Sequence, residues 1–481
     1  MKRPDRKRRG SARGLALPAS WSLLAILAGA GLAGCEPAVT PPARDANAAP
    51  HRRPPASPVK PFRLGRPDVV LLVTGGTNGV LEVCYCAGSM PGGLTRRSGL
   101  VRSYREAFPR TFLLGTGNAL RVEDPRHPRN EYLLRGYRLV GYDALILGAQ
   151  EWATPLRRLR DLLAPGPTCL SSTVQPARRS DLPLATEVRR EWPGARLAVL
   201  SYVPPAALAS LPPERRGALE FASLADVARR VAELKRSGYV VVLSPYAYAG
   251  EMEAAVRACD ADLFLPSHVQ VAYTGVNHVA GKPVVTVGGC GYVGVIAMKV
   301  SGGRVEAIEY RLEAVTKRWP ADARLLALYK AYTHVAMRYA LNAERTSGLA
   351  YVPSATCGRC HEKPYRHWRE SRHARAYQTL LDARRAGDPD CLVCHTSGFG
   401  TRSGFYTLDK TPGLANVNCQ DCHRFDMVQH RTKDFQPPRV TAKVCTSCHT
   451  EVTDPKFAFR RKERLAAAAC PRRPATRPAH D

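Results

Sequence analysis

From Pro67 to about Leu312 the chain sets short apolar runs against longer stretches whose apolar positions recur every three or four residues. A run of four to eight apolar residues between turn formers reads as a strand, and a sustained three-to-four repeat as a helix with one buried face. On these rules strands are predicted over Asp68–Val73, Thr111–Leu114, Asp143–Leu147, Arg196–Tyr202, Tyr239–Leu243, Asp262–Leu265 and Pro283–Val287. Helices are predicted over Arg96–Ala107, Leu224–Arg236 and Gly250–Ala258. Their alternation predicts a layered α/β domain over 67–312. The runs Val293–Val300 and Val305–Arg311 close it as a hairpin around Gly302-Gly303.

A connecting segment, 313–350, follows. Within Ala321–Asn342 the apolar positions Leu325, Leu328, Tyr332, Val335 and Tyr339 keep helical spacing, which predicts an amphipathic helix. Beyond it, from Tyr351 to Pro455, both periods fade and Cys and His take over.

The motif Cys391-Leu-Val-Cys394-His395 occurs there, with Cys357-Gly-Arg-Cys360-His361, Cys419-Gln-Asp-Cys422-His423 and Cys445-Thr-Ser-Cys448-His449. A Cys pair at this spacing can form thioethers to the two vinyl groups of one haem, and the adjoining His then meets the iron. A lone C-x-x-C would serve equally as a zinc site or a redox dithiol. Four pairs, each followed at once by His, point to four haem c groups. Cys357, Cys360, Cys391, Cys394, Cys419, Cys422, Cys445 and Cys448 are the attachment residues, and His361, His395, His423 and His449 the proximal iron ligands.

The two ends of the chain have another character. Lys2 to Arg13 is basic and Leu15 to Leu32 apolar, ending Leu32-Ala33-Gly34-Cys35. That is the order of a secretory signal over 1–35. The ending resembles a bacterial lipobox, which implies that Cys35 is acylated and ties the mature chain to a membrane surface. A transmembrane anchor, or a cleaved signal with an incidental Cys, are the alternatives. Residues 36–66, rich in Pro, Ala and Arg, read as a tether, and 456–481 as a basic tail.

Of fifteen cysteines, eight lie in the motifs and one in the lipobox. The remaining Cys84, Cys86, Cys169, Cys259, Cys290 and Cys470 fit an oxidising compartment, without revealing a pairing. Cys84 and Cys86 read as a disulfide partner pair, a ligand pair or two small buried thiols. The formal charge of +30 does not indicate nucleic acid, because the basic residues are scattered and no aromatic platform lies among them. Solvation, haem propionates and an acidic redox partner or anionic lipid account for it better.

Two resemblances extend this picture. The haem region, 351–455, resembles tetrahaem cytochrome c554: besides the motifs it carries Trp368, Ser371, His373-Ala374, Ala376, Asp390, Gly398-Phe399-Gly400 and His430. The resemblance implies a mainly helical, haem-cored domain with His373 and His430 as distal ligands for two haems. The family's third distal His precedes the last motif, but here Arg439–Val444 contains none. His334 and His367 are candidates to take its place, with Met427 behind them and Met337 beside His334 on the connecting helix.

The α/β domain resembles the metallophosphoesterases of the 5′-nucleotidase type through Thr77–Cys86, Gly92-Gly93-Leu94, Arg96-Arg97, Gly141–Ala144 and Gly281–Val285. That family holds two metal ions on strand ends to activate water. Here the first strand ends Val73-Thr74-Gly75-Gly76, the Gly-Asn-His-Glu motif becomes Gly148-Ala149-Gln150-Glu151, and the late Gly-His-x-His becomes Leu265-Pro266-Ser267-His268. Most ligands are gone, which argues against a bound divalent metal and for a fold kept without its chemistry. His268 and His278 remain as a mononuclear candidate or as structural residues.

The sequence therefore predicts a multidomain chain: an α/β layered metallophosphoesterase-like domain and a tetrahaem cytochrome domain, outside the cytoplasm. Its expected function is membrane-tethered electron transfer with a redox partner protein. The alternatives are a haem enzyme acting on nitric oxide, nitrite or hydroxylamine, and, less favoured, a phosphoesterase.

Overall fold

Apolar runs buried on both faces must lie between two packed layers, and the strands here do. The computed structural model describes residues 59–459 apart from 84–90, 123, 125, 179–180, 268–273, 347, 433, 437, 451–452 and 455–456. All described residues fall in one compact unit, Ser57–Asp481. The signal and lipobox with Cys35, most of the tether, Cys84, Cys86, His268 and Cys470 lie outside the described residues.

One sheet has seven strands. Val69–Thr74 lies inside it, parallel to the central strand Thr111–Gly115, which is followed outward by Ala144–Ile146, Cys169–Leu170 and Leu184–Ala185. On its other side Tyr292–Ser301 runs antiparallel, and Arg304–Ala314 completes the edge. These last two form the closing hairpin, with Gly302 at φ 54° and Gly303 at φ 74°, a turn that needs two left-handed residues in succession. The second sheet has six strands in the order Gly275–Val279, Lys282–Thr286, Leu263–Phe264, Val240–Pro245, Ala195–Tyr202 and Val188–Trp192. A short ribbon pairs Val174–Pro176 with Leu219–Phe221.

Alternation along each strand sorts the side chains into layers. Val69, Leu71 and Val73 point between the sheets and meet Leu197, Val199, Val240, Val242 and Leu263. Val70 and Leu72 point the other way, into a core shared with the helices Leu94–Ala107 and Arg129–Val140. On the outer face of the second sheet, Ala198, Leu200, Val241 and Leu243 pack against Leu224–Arg236 and Ala249–Ala258. The result is four layers, helix–sheet–sheet–helix. Each fully buried Val or Leu contributes about 1.5–3 kcal/mol relative to exposure, so this domain has ample apolar burial of its own.

Phe62, inside the segment read as tether, is buried, with its ring 5.2 Å from that of Phe108. The backbone N–H groups of Arg63 and Leu64 donate to Glu309, and Arg311 donates to the carbonyls of Lys60 and Pro61. The folded part thus begins several residues earlier than composition suggests.

The amphipathic helix forms over Ala323–Asn342, capped by Asp322, which accepts from the Arg324 N–H at 3.0 Å. Leu325, Tyr332 and Ala336 are its buried residues. Tyr329 and Tyr332 meet the haem region, described next, whose own apolar core is small: Tyr377, Leu380, Cys391, Leu392, Phe405, Leu414 and Ala415.

Candidate haem-binding site

Each C-x-x-C-H motif is built on a single helical turn. The second occupies the helix Pro389–His395, with Pro389 in the first turn and Asp388 as N-cap, accepting from the Asp390 N–H at 3.0 Å. The third occupies Cys419–His423, where Asn418 and Asp421 form a reciprocal capping box. In the first and fourth the His amide closes the turn itself: the His361 N–H donates to the Cys357 carbonyl, and that of His449 to Cys445, both at 2.9 Å. This turn sets the first Cys and the His on one face.

The imidazoles are oriented through Nδ1. That atom of His395 lies 2.7 Å from the Ala376 carbonyl and 3.1 Å from the Thr379 hydroxyl. Donating there leaves Nε2 with a free lone pair for a metal. Nδ1 of His449 lies 2.9 Å from an Asp454 carboxylate oxygen, to the same effect. His423 is held mostly away from water, which favours the neutral ring that iron requires. Asp421, inside the third motif, is pushed up to about 6 by burial, although the Asn418 N–H donates to it at 2.7 Å.

Motifs distant in sequence meet in pairs. Cys357 lies close enough to Cys419, and Cys394 to Cys448, for their thiols to interact. Within each pair the interaction pulls one thiol down, Cys419 and Cys448, and pushes its partner up. The first motif therefore lies against the third, and the second against the fourth.

His430, on the short helix Met427–His430, faces His361 with ring centres 5.7 Å apart. His373 faces His449 at 6.3 Å. Two imidazoles on opposite sides of one iron stand about 6 Å apart, twice a metal–nitrogen bond of about 2 Å plus the depth of each ring. Both separations fit axial ligation, so the residues present suit a haem group. His334 is exposed on the connecting helix, and His367 is exposed with its Nδ1 beside the Lys363 carbonyl.

The strand ends of the α/β domain hold something else. The Tyr246 hydroxyl donates to Asn118 Oδ1 at 3.0 Å, and its ring lies against Gly148, where a Cβ would stand 2.7 Å from it. Asn118 adopts a left-handed backbone at φ 51°. Glu151 is fully buried, accepting N–H bonds from Asn118, Leu120 and Gly148 at 3.0, 2.8 and 2.8 Å. Burial pushes the Tyr246 phenol up to about 12 and raises Glu151. The Tyr246–Asn118 bond joins loops that follow strands of the two sheets. Sequence inspection singles out Gln150 and Glu151 but passes over Asn118 and Tyr246, although Gly117-Asn118 and Pro245-Tyr246 follow strands directly. His278 is exposed on the edge strand Gly275–Val279.

Residues 356–424, spanning the first three motifs, match the family described as cytochrome c554 and c-prime. Over these residues the chain is similar to that family. Cytochrome c-554 of Nitrosomonas europaea is 30% identical over 82 residues, 14% of this chain and 35% of that protein, so the chain spans about a third of the curated relative it matches. The fourth motif lies beyond the matched residues.

The α/β domain has the phosphoesterase fold. Sulfate thiohydrolase SoxB of Thermus thermophilus superposes with a TM-score of 0.50 at 17% identity, over 61% of this chain and 63% of that one. A 5′-nucleotidase precursor from the same species gives 0.49 at 18% identity, over 72% and 73%.

Proposed function

We propose that this protein is a membrane-tethered, extracytoplasmic electron carrier with four haem c groups, one on each C-x-x-C-H motif. The observation that carries this reading is the facing of His361 by His430 and of His373 by His449 at separations suited to one iron each. Bound haem supplies a one-electron iron couple. The chain's own residues do the rest: eight thiols hold the rings, His361, His395, His423 and His449 present nitrogen to iron, and Ala376 and Asp454 fix two of those imidazoles. Saturating an iron with two imidazoles favours electron transfer over binding of a small molecule. The contacts of the first motif with the third, and of the second with the fourth, support close haem-to-haem passage.

A signal with a lipobox supports acylation at Cys35 and a site outside the cytoplasm, where haem c attachment takes place. No helix among the described residues is long and apolar enough to cross a membrane. A redox partner protein is implied by the carrier role. The phosphoesterase-like domain has no catalytic part in this reading, because most metal-ligand positions of that family are replaced in this sequence.

Spectra of the purified holoprotein, oxidised and reduced, with haem counted per chain, test the proposal. Four haems with mostly low-spin spectra are expected. A high-spin signal that responds to nitric oxide would instead indicate the haem-enzyme alternative.

A further inference from the structure

We propose that the phosphoesterase-like domain tunes the potential of the haem attached at Cys391 and Cys394, through the ion pair of Arg129 with Asp390. This rests on the haem reading above and goes beyond it, since it gives the α/β domain a task.

Arg129 lies in the first turn of an α/β-domain helix, and its Nη1 and Nη2 each stand 2.7 Å from an Asp390 oxygen. Asp390 is next to Cys391, on the turn that ends in His395. The Arg129 stem passes over Gly79, where a Cβ would come within 2.7 Å of its Cδ and φ is +76°, so a side chain at residue 79 would block the crossing. Tyr332 donates its hydroxyl to Asp390 at 3.2 Å, from the connecting helix.

A second carboxylate, Asp388, stands beside the same motif and takes the Cys391 thiol at 3.4 Å. Its cation, Arg385, comes from the haem region itself, at 2.7 Å. Arg385 also reaches the Val83 carbonyl of the α/β domain at 2.6 Å. So the negative charge of Asp388 is offset locally, whereas that of Asp390 is offset by a cation from the neighbouring domain.

A bare carboxylate near a haem stabilises ferric over ferrous iron, and a bare guanidinium does the reverse. Arg129→Gln should therefore lower the potential of one haem, and Asp390→Asn should raise it. The side chain of Arg129 is 9% exposed against 40% for Asp390, so water screens a bare Asp390 better than a bare Arg129. The upward shift should be the larger, about tenfold in the reduction equilibrium, which is about 59 mV for one electron.

Potentiometric titration of the full-length holoprotein tests this on wild type, Arg129→Gln, Asp390→Asn and the double variant, with haem counted in each. Support is a shift of one haem down in the first variant, up in the second and back near wild type in the third, with haem content unchanged. Shifts of the same sign, loss of one haem in both single variants, or unmoved potentials with haem content intact overturn it. Wild-type protein without covalent haem would instead sink the reading on which it rests.

Discussion

The rings of His361 and His430 stand 5.7 Å apart although 69 residues separate them, and Phe425 and Phe435 pack on His430 at 4.7 and 4.9 Å. A ring packed between two phenyl groups is preoriented, and in the proposed function it is the distal ligand of one iron. His430→Ala should turn one haem from low-spin to high-spin while leaving it covalently attached. His373→Ala should do the same to a different haem, so that electron paramagnetic resonance of the double variant shows both changes. Unaltered spin states in either single variant would refute that pairing.

Asp454 acts from behind its imidazole. Its carboxylate faces Nδ1 of His449 at 2.9 Å and makes that ring a stronger donor, which favours ferric iron. Asp454→Asn should raise the potential of the fourth-motif haem, by up to about tenfold in its reduction equilibrium, a shift read by spectroelectrochemistry. A fall, or no change, contradicts the assignment.

The strand-end site of the phosphoesterase-like domain should stay free of divalent metal. Tyr246 is buried against Gly148 and bonded to Asn118, so Tyr246→Ala should cost about 3–5 kcal/mol in the stability of that domain, measured by urea unfolding. Metal analysis finding two divalent ions per chain would overturn this expectation.

Asp322 gives a pH dependence. Its contacts with Arg324, the Ser98 hydroxyl and the Arg324 N–H hold its carboxyl well below the usual range. A depressed carboxyl contributes stability above its unfolded value, about 4, and loses it as the pH falls toward the folded one. Asp322→Ala should cost about 1–2 kcal/mol at pH 7, mainly through the lost helix cap, with a smaller gap at pH 2. A gap that does not change with pH contradicts the assignment.

These features differ in how far the sequence announces them. Val69–Thr74 and Val240–Pro245 are buried on both faces, so each is an unbroken apolar run found to within two residues. Cys169–Leu170 and Leu184–Ala185 are too short to show a period, and Val188–Trp192 is a polar edge strand with Arg189, Arg190 and Glu191 exposed. Thiol and imidazole spacing marks the haem motifs because attachment is local chemistry. The contact of the first motif with the third, and the reach of Arg129 to Asp390, are set by the folded chain. No local pattern records them. Phe62 is hidden in a Pro- and Arg-rich segment because one aromatic ring carries no period.

The central claim is that the chain binds one haem c through each of its four C-x-x-C-H motifs. The direct measurement is the intact mass of holoprotein matured with a working haem-ligation system, together with its reduced pyridine haemochrome spectrum. The expected result is a mass increase of four haems that survives acid-acetone extraction. Colourless protein, or pigment lost to the extraction, would contradict the account.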